Sequence, residues 1–365
     1  MDNFVVENLG PIAKADVTFG DLTILTGPQA SGKTLFLETF KLVQDFVDIV
    51  DDFLETYYEV EHNSFLDYYY GDNMHSIISK NTRIIFNGKN VELEFNYDRS
   101  LFEELSINSI YPQEENVNYI PAQRSLAVSE GRIKISDDFV NSPFVLVKFS
   151  SYLQQIVRTQ KFGILREAIK DYDFLKNAEI NMRRTAGSPR LEMTVDNQTV
   201  PYMSWSTGQR EFTPLLMALD YFESIDNKEY IVIEEPEIGL HPRAIIEFMF
   251  TVLKLMKKGV KVVISTHSST PLDFVWTMNR LKHKGVKSFA ALAEMFDFKI
   301  KDKDFFNGLF EKEVKVYYFA PDPKTRKVHS KDISSLDVES EDEDVSNWGG
   351  MSLSADRAGS IVSKF

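Results

Sequence analysis

The strongest constraint on the fold is a glycine-rich segment between a strand pattern and a helix pattern. Residues 23–34 read TILTGPQASGKT, so an apolar strand runs directly into Gly27-x4-Gly32-Lys33-Thr34. This spacing is typical of a P-loop, in which backbone N–H groups close around phosphate oxygens at a helix N-terminus. We therefore expect an α/β protein that binds ATP and Mg²⁺, with Lys33 reaching the β- and γ-phosphates and Thr34 holding the metal. The predicted nucleotide-binding residues of the loop are Gly27, Pro28, Gln29, Ala30, Ser31, Gly32, Lys33 and Thr34.

A second strand pattern ends in two acidic residues. Residues 230–242 read YIVIEEPEIGLHP, with Glu234 and Glu235 directly after the apolar run. Open α/β sheets bind ligands at the carboxyl ends of such strands. We expect Glu234 to coordinate Mg²⁺, directly or through water, and Glu235 to polarise the attacking water as a general base. The alternative is a strand followed by a solvated acidic turn, which fits poorly beside a P-loop.

A third strand pattern ends in a histidine. Residues 260–270 read VKVVISTHSST, which places His267 at the end of another apolar run. A histidine there can hydrogen-bond the γ-phosphate and detect its presence. A lone histidine is more often structural, so the catalytic interpretation depends on its order after the acidic strand.

The segment just before the acidic strand allows two interpretations. Residues 202–212 read YMSWSTGQREF, a group of small and polar residues that precedes an apolar helix pattern. Ser206 or Thr207 with Glu211 downstream fits a helix N-cap. The same residues also fit a surface for the phosphate of an ATP bound elsewhere. The two interpretations are compatible, because a capped helix N-terminus is also what an anion needs.

Composition excludes several classes of protein. The 365 residues contain no Gly/Ser/Pro-rich linker, no cysteine, and six scattered histidines without metal-ligand spacing, so we expect no disulfide and no zinc site. No run reaches the roughly eighteen apolar residues of a membrane span, and the chain starts with a strand-like sequence rather than a leader. We expect a cytoplasmic protein without membrane partners.

The charge distribution bears on nucleic-acid binding. The net charge of −14 argues against binding nucleic acid over the whole surface, because such binding relies on Lys and Arg. Residues 148–190 nevertheless contain nine Lys/Arg against four Asp/Glu. This stretch is either the solvated face of a helical lobe or a local nucleic-acid contact.

The order of these motifs resembles that of the ABC-type ATPases. In that family a signature sequence lies just upstream of the acidic strand, and the signature of one subunit closes on ATP bound to another. By resemblance, Ser206, Gly208 and Gln209 occupy the Ser, Gly and Gln positions of the signature. Thr207 stands where the family has a first glycine, and Trp205 where it has leucine. The resemblance implies that Ser206, Thr207, Gly208 and Gln209 contact nucleotide in a homodimer or higher oligomer.

Within this superfamily the chain resembles the heads of SMC, RecF and OLD proteins and small bacterial "AAA family ATPase" proteins. The segments VENLGPIAKADVTFGDLTILTGPQASGKT and EEPEIGLHP carry the likeness, which spans most of residues 1–275. Glu234 replaces the usual aspartate, and His241 sits where transporters carry a loop aspartate. In VNYIPAQRS, Gln123 matches the Mg²⁺- and water-contacting glutamine of the Q-loop, although a simple polar turn fits almost as well.

This resemblance implies an ATP-hydrolysing head that dimerises around two ATP molecules and gates a separate effector protein, as in anti-phage defence systems. A RecF-like DNA-repair ATPase that binds duplex DNA is one alternative, and the ATP subunit of a transporter is another. No nuclease domain follows His267, because the acids of ESEDEDV follow no apolar strand.

The predicted organisation is an α/β ABC-type P-loop NTPase head with a mixed sheet, a helical lobe and a helical insertion. The ATPase core comprises residues 1–40, 81–130 and 200–330, with an insertion at 41–80, a helical lobe at 131–199 and an acidic C-terminal segment at 331–365. An apolar stripe predicts one continuous helix through Phe36, Phe40, Val43, Val47, Val50, Leu54 and Tyr57. We also expect a hairpin at 82–95 turning at Asn87-Gly88, mainly helical structure at 137–185, helices at 271–282 and 288–297, and a strand at 314–320.

The insertion combines acidic and aromatic residues. Residues 41–73 contain nine acids against one base, interleaved with eight aromatic residues that include Tyr68, Tyr69 and Tyr70. Aromatic residues favour interfaces, and an acidic rim steers basic partners, so this surface is a candidate dock for an effector or a neighbouring subunit. The alternative is that the aromatic side chains pack within the protein while the acids face water.

Overall fold

The computed structural model describes residues 1–56, 59–91, 96–98, 116–139, 141–159, 175, 178–183, 189–223, 229–284, 294 and 308–352. The described strands are β1 (Asn3–Leu9), β2 (Ile12–Thr18), β3 (Leu22–Thr26), β4 (Glu59–Glu61), β5 (Arg83–Phe86), β6 (Lys89–Val91), β7 (Asn96–Asp98), β8 (Val117–Ile120), β9 (Val128–Ser129), β10 (Arg132–Ile133), β11 (Ala178–Arg183), β12 (Arg190–Val195), β13 (Gln198–Pro201), β14 (Tyr230–Glu234), β15 (Lys261–Thr266), β16 (Val314–Pro321) and β17 (Val328–Asp332).

The described helices are α1 (Lys33–Gln44), α2 (Phe46–Thr56), α3 (His62–Tyr70), α4 (Phe144–Thr159), α5 (Thr207–Glu223), α6 (Pro242–Lys257), α7 (Thr270–His283) and α8 (Glu343–Ser346). None of them is long and apolar enough to cross a membrane. The chain divides into two compact units, the first formed by Met1–Phe36, Lys80–Val91 and Ile245–Phe365, and the second by Leu37–Ser79 and Glu92–Ala244.

The first unit contains a mixed sheet of eight strands in the order β6-β5-β1-β2-β17-β16-β3-β15. The pairs β1/β2, β1/β5, β5/β6 and β16/β17 are antiparallel, whereas β2/β17, β3/β16 and β3/β15 are parallel. All five residues of β3 are buried, as expected for a strand with parallel neighbours on both sides. The predicted α/β fold with a mixed sheet is therefore confirmed.

Several local predictions in the first unit are also confirmed. Strands β5 and β6 form the expected hairpin, and Asn87 and Gly88 turn it with φ values of 50° and 76°. Helix α7 covers the helix expected at 271–282, and β16 covers the strand expected at 314–320. The end of the hairpin at 92–95 and the helix expected at 288–297 lie outside the described residues, apart from Glu294.

The acidic C-terminal segment is more ordered than the solvated loop that its charge predicts. Asp342 caps the short helix α8 by accepting a hydrogen bond from the Asp344 N–H. Lys331 pairs with both Asp342 and Asp344. One lysine of β17 thus offsets part of the acidic charge and holds the turn that follows.

The second unit has a parallel pair, β8 and β14, and three small antiparallel groups: β4/β7, β9/β10 and β11-β12-β13. The last of these corrects the predicted helical lobe, because only Phe144–Thr159 of the described part of 131–199 is an α-helix. Residues 178–183, 190–195 and 198–201 form strands instead. Alternating burial in RLEMT is the period-2 pattern of a sheet with one packed face, and Ile180 is the buried residue of the neighbouring EINMR.

The predicted continuous helix is interrupted. Helix α1 ends at Gln44 and α2 starts at Phe46, with Asp45 between them. The Asp45 carboxylate accepts hydrogen bonds from the N–H groups of Asn116 and Val117 and from Lys41 Nζ. This buried contact explains the break, which an apolar stripe alone does not reveal. Tyr57, the last residue of the stripe, is not described.

Most of the described aromatic residues of the insertion are buried in the core. Phe53, Phe65, Tyr69 and Tyr70 are almost fully buried, and Tyr68 packs edge-on against Phe53. The Tyr69 hydroxyl donates to the Glu38 carbonyl oxygen, and the Tyr70 hydroxyl lies 2.8 Å from Thr39 Oγ1. Exposed acids such as Asp51, Glu55 and Asp72 face water. The docking hypothesis is therefore wrong for Tyr69 and Tyr70, which pack within the protein as the alternative predicts, whereas Tyr68 is half-buried.

Candidate nucleotide site

The first unit places the P-loop and His267 at one edge of its sheet. Strand β3 runs parallel to β15, and their last residues, Thr26 and Thr266, are partners in register. The chain therefore leaves both strands at the same carboxyl edge, into Gly27 on one strand and His267 on the next. This is the edge where parallel sheets bind ligands.

Lys33 is the first residue of α1 and lies inside the loop that precedes it. Its Nζ atom donates hydrogen bonds to the carbonyl oxygens of Gly27 and Pro28, both at 3.0 Å, and to Ser31 Oγ at 3.2 Å. The side chain is only 5% exposed, so the loop holds a buried positive charge at a helix N-terminus. An anion with several oxygens is the ligand that such a charge and the adjacent N–H groups favour.

The remaining loop residues differ in their exposure to solvent. Pro28, Gln29, Ala30 and Thr34 are exposed, whereas Gly27 and Ser31 are buried. Gly27 has a φ of 148°, and a Cβ atom there would lie 2.8 Å from the Phe319 carbonyl oxygen. Only glycine fits this approach between the loop and β16, which fixes where the loop starts.

His267 is half-buried and lies between the end of β15 and the start of α7. The next residue, Ser268, donates its N–H to Thr266 Oγ1 at 3.0 Å, and Thr270 N–H donates to Ser268 Oγ at 3.2 Å. These hydrogen bonds between near neighbours in the sequence fix the turn that carries the histidine. His267 thus shares the sheet edge with the P-loop, as its position after the acidic strand predicts.

The second unit brings the acidic strand and the Gln123 segment together. Strands β14 and β8 are parallel, with Ile233 opposite Ile120, so Glu234 and Pro121 follow at the same edge. Glu234 is 3% exposed, and its Oε2 atom accepts a hydrogen bond from the Ala122 N–H at 3.3 Å. Gln123 is exposed and precedes a short 3₁₀ turn at Arg124–Ala127.

Glu235 has an unusual backbone conformation. Its φ angle is +40°, in the left-handed region that residues other than glycine rarely adopt. The side chain is half-buried. Strained residues of this kind cluster at functional sites, provided that surrounding contacts hold them in place.

Arg124, which was not predicted as a site residue, supplies such a contact. Its side chain is fully buried, and Nη2 donates to the Glu235 carbonyl oxygen at 3.1 Å. Nη1 donates to the carbonyl oxygens of Glu234 at 2.8 Å and Pro121 at 3.3 Å, and Nε donates to that of Glu211 at 3.1 Å. Burial lowers the pKa of the guanidinium, while the nearby carboxylates of Glu211, Glu237, Glu234 and Glu235 oppose that shift.

Two further buried groups near Glu234 were not predicted as site residues. Glu38 of α1 is 5% exposed, and burial, followed by the charge of Glu234, raises its pKa well above the usual value. Burial and the same carboxylates raise the pKa of the Tyr119 hydroxyl. Glu38 lies off the apolar stripe of α1, so the sequence pattern did not indicate its burial, and Glu234 is almost 200 residues away along the chain.

The signature segment forms a capping box at the start of α5. Ser206 Oγ accepts from the Gln209 N–H at 3.2 Å, and Gln209 Oε1 accepts from the Ser206 N–H at 2.9 Å. The N-cap interpretation is therefore confirmed with Gln209 as the reciprocal partner, and the predicted role of Glu211 in it is wrong. The Glu211 carboxylate instead accepts hydrogen bonds from the hydroxyl and N–H of Ser125.

The first turn of α5 also touches the loop that follows the acidic strand. A Cβ atom on Gly208 would lie 2.4 Å from the Gly239 carbonyl oxygen. Gly239 has a φ of +71°, and a Cβ there would lie 3.0 Å from Gly208 N. Backbone therefore meets backbone at this point, and both positions require glycine.

Comparison with known proteins supports the nucleotide-binding interpretation. A family model described as an AAA ATPase domain (AAA_15) matches residues 117–270, a stretch that includes Gln123, the signature, the two glutamates and His267. This match supports an ATPase domain in that part of the chain. A search of curated proteins found no match.

Solved structures with a similar chain path include three SMC heads. An SMC head bound to the C-winged helix domain of ScpA is 10% identical, with 90% of this chain and 97% of that chain covered and a TM-score of 0.45. The SMC head domain from Thermotoga maritima is 12% identical, with coverage of 74% and 90% and a TM-score of 0.37. An SMC head from Pyrococcus furiosus with an extended coiled coil, bound to the C-terminal domain of ScpA, is 9% identical, with coverage of 92% and 98% and a TM-score of 0.38. We transfer no residue role from such distant similarities.

Proposed function

We propose that the protein binds ATP and hydrolyses it to ADP and phosphate. The observation that carries this proposal is the in-register pair β3/β15, which places a P-loop with a buried lysine and His267 at one edge. Lys33 binds the β- and γ-phosphates, the loop Gly27–Thr34 surrounds them with N–H groups, and His267 contacts the γ-phosphate. The family match over residues 117–270, which includes His267 but not the P-loop, supports an ATPase.

Glu235 and Gln123 are the proposed groups for the chemical step. Glu235 takes the proton of the water that attacks the γ-phosphorus, and Gln123 orients this water. The Thr34 hydroxyl, Glu234 and Gln123 are the proposed Mg²⁺ ligands, and they fit because Mg²⁺ prefers a few hard oxygen donors. When bound, the metal neutralises charge on the phosphates. The described residues contain no cluster of three or more His, Asp or Glu for a metal, and a site with so few protein ligands needs none.

The signature is proposed to act across a dimer of two chains. Ser206, Thr207, Gly208 and Gln209 form the capped N-terminus of α5, and Ser206 and Thr207 are exposed. An exposed helix N-terminus suits the γ-phosphate of an ATP bound to a second copy. The resemblance to ABC-type ATPases supports this part of the proposal.

The biological role that we propose is control of a separate effector protein in anti-phage defence, and its support is the resemblance alone. The alternative of a DNA-repair ATPase depends on the basic stretch at 148–190. Among the basic residues described there, Lys148 pairs with Asp52, Arg183 with Glu192 and Arg190 with Glu130. These pairs partly neutralise the charge that a phosphate backbone would need.

Two substitutions separate binding from chemistry. Glu235→Gln removes the base but keeps its shape, so we expect kcat to fall about 10²–10⁴-fold with ATP binding retained. Lys33→Ala removes a charged hydrogen-bond donor, so we expect ATP affinity to fall on the order of 10- to 100-fold. ATP turnover by Glu235→Gln at the wild-type rate would show that Glu235 is not the base.

A mixing experiment tests the shared site. Ser206→Arg and Lys33→Ala should each be inactive alone, whereas their mixture should recover partial ATPase activity because one composite site of each heterodimer stays intact. Native mass spectrometry verifies that heterodimers form. Verified heterodimers without recovered activity would refute a signature that acts in trans.

A further inference from the structure

The surroundings of Arg124 suggest a role beyond packing. A buried arginine usually pairs with a carboxylate, because removing its charge from water is costly. Here the guanidinium instead donates to four main-chain carbonyl oxygens, those of Pro121, Glu211, Glu234 and Glu235. Its contacts therefore position backbone segments relative to one another.

One of these segments is the strained peptide at Glu235. A left-handed φ of +40° is unfavourable for a glutamate, so the fold must hold this residue in place. Arg124 binds the carbonyl oxygens of the two peptide groups that flank the Glu235 Cα atom. Nη1 donates to the Glu234 carbonyl oxygen and Nη2 to that of Glu235. The direction in which the Glu235 side chain leaves the backbone depends on this peptide.

A second backbone segment bound by Arg124 lies near the start of α5. Arg124 Nε donates to the Glu211 carbonyl oxygen, and the adjacent Ser125 donates its N–H and hydroxyl to the Glu211 carboxylate. Glu211 lies two residues after Gln209, the second member of the capping box. The same guanidinium thus contacts the helix that starts with the signature and the peptide that carries the base.

From this geometry we infer that Arg124 is a positioning residue that sets the orientation of Glu235 and couples it to the signature helix α5. This inference rests on the proposed ATPase function and on Glu235 as its base. Arg124 does not touch substrate. Its planar fork reaches several carbonyls at once, whereas a lysine has one nitrogen and cannot replace it.

The experiment compares steady-state ATPase kinetics of the full chain with Mg²⁺ and ATP for Arg124→Lys, Ser125→Ala and a control. The control is Arg132→Lys, the same exchange at a surface arginine that pairs with Asp138. We expect kcat of Arg124→Lys to fall about 10- to 100-fold, as for a misplaced catalytic group, with KM within about threefold of wild type. Ser125→Ala should lower kcat by a smaller factor, and Arg132→Lys should leave kcat unchanged.

A second arm tests whether Arg124 acts through Glu235. In the Glu235→Gln background, Arg124→Lys should lower the residual rate by less than about twofold, because residues that act as a unit are not additive. An equal fold loss in both backgrounds would overturn the inference, since it would show that Arg124 acts independently of Glu235.

The outcomes separate this inference from the proposed function. A folded Arg124→Lys protein with wild-type kcat overturns the inference but not the proposed function. The same holds for a variant whose KM rises while its kcat is unchanged. If Arg124→Lys fails to fold, Ser125→Ala decides, and wild-type kcat in that variant overturns the inference. A wild-type protein that binds but does not hydrolyse ATP refutes the proposed function first.

Discussion

Two regions carry the proposed site residues, and they are held in different ways. The phosphate-loop region (residues 22–34 and 261–267) is fixed by main-chain pairing of β3 with β15 and by bonds from Lys33 to its own loop. The acidic-strand region (residues 117–125, 206–211 and 230–239) is fixed by buried side chains that bond to distant backbone. Arg124 reaches residues 87 and 111 positions away along the chain.

The charged pairs of the two units show the same difference. In the second unit, Lys41 and Asp45 are each 1% exposed and together bind both backbone groups of Val117 at the start of β8. In the first unit, Lys312 and Asp21 form an equally short pair, but each is more than a quarter exposed. The second unit should therefore be far more sensitive to the loss of one charge of this buried pair than the first unit is to the loss of Lys312.

The largest expected effect is the loss of Lys41. Lys41→Met leaves the Asp45 carboxylate buried without its cation, and breaking a buried pair costs about 3–5 kcal/mol. Lys312→Met is the matched control and should cost about 1 kcal/mol or less, because its pair is partly solvated. The measurement is the free energy of unfolding in urea. Equal losses of unfolding free energy for the two variants would show that the two units do not differ in their sensitivity to a lost charge.

The next effect is a pH dependence at Glu38. Burial, and then the charge of Glu234, raises the pKa of this acid in the folded state. Its contribution to stability is thus fully present below the unfolded pKa and is lost as the pH rises through the folded pKa. Glu38→Gln should match wild type in acid and become relatively more stable as the pH rises, by at most about 1.4 kcal/mol per pH unit.

The measurement for Glu38 is thermal unfolding from pH 4 to pH 8. Glu55→Gln, at an exposed position of α2, serves as the control. A stability difference between Glu38→Gln and wild type that stays constant across this range would contradict the prediction. That result would mean that the buried acid near Glu234 does not titrate as its surroundings require.

A smaller effect is expected where the signature helix touches the loop after the acidic strand. In a helix, replacing glycine by alanine normally stabilises by up to about 1 kcal/mol. At Gly208 the new Cβ would collide with the Gly239 carbonyl oxygen, so Gly208→Ala should destabilise by about 1–3 kcal/mol. Thr207→Ala, exposed in the same turn, should change stability by less than about 0.5 kcal/mol. A stabilised Gly208→Ala protein would disprove the close contact.

The two regions also differ in how much the sequence reveals. The phosphate-loop region was predictable because its determinants are consecutive, as in TILTGPQASGKT, and because apolar runs identify β3 and β15. The helix α7, the strand β16 and the Asn87-Gly88 turn follow from local patterns in the same way.

The acidic-strand region was only partly predictable, because its contacts are long-range. The arginine in PAQRS gave no sign that it would be buried against Glu235, and the apolar stripe of α1 and α2 concealed a break made by contacts of Asp45 to residues 116 and 117. Charge and aromatic content predicted a docking surface at Tyr68, Tyr69 and Tyr70, whereas Tyr69 and Tyr70 are buried in the core. The same composition suits a core and an interface, and only the packing distinguishes them.

The contact between Gly208 and Gly239 has a consequence for natural variation. Because a Cβ atom on either residue would meet backbone atoms of the other, each position requires glycine whatever residue stands at its neighbour. Related chains that keep both glycines should retain this contact. A chain that gains a side chain at either position must reshape the loop after the acidic strand, even where the other glycine is kept.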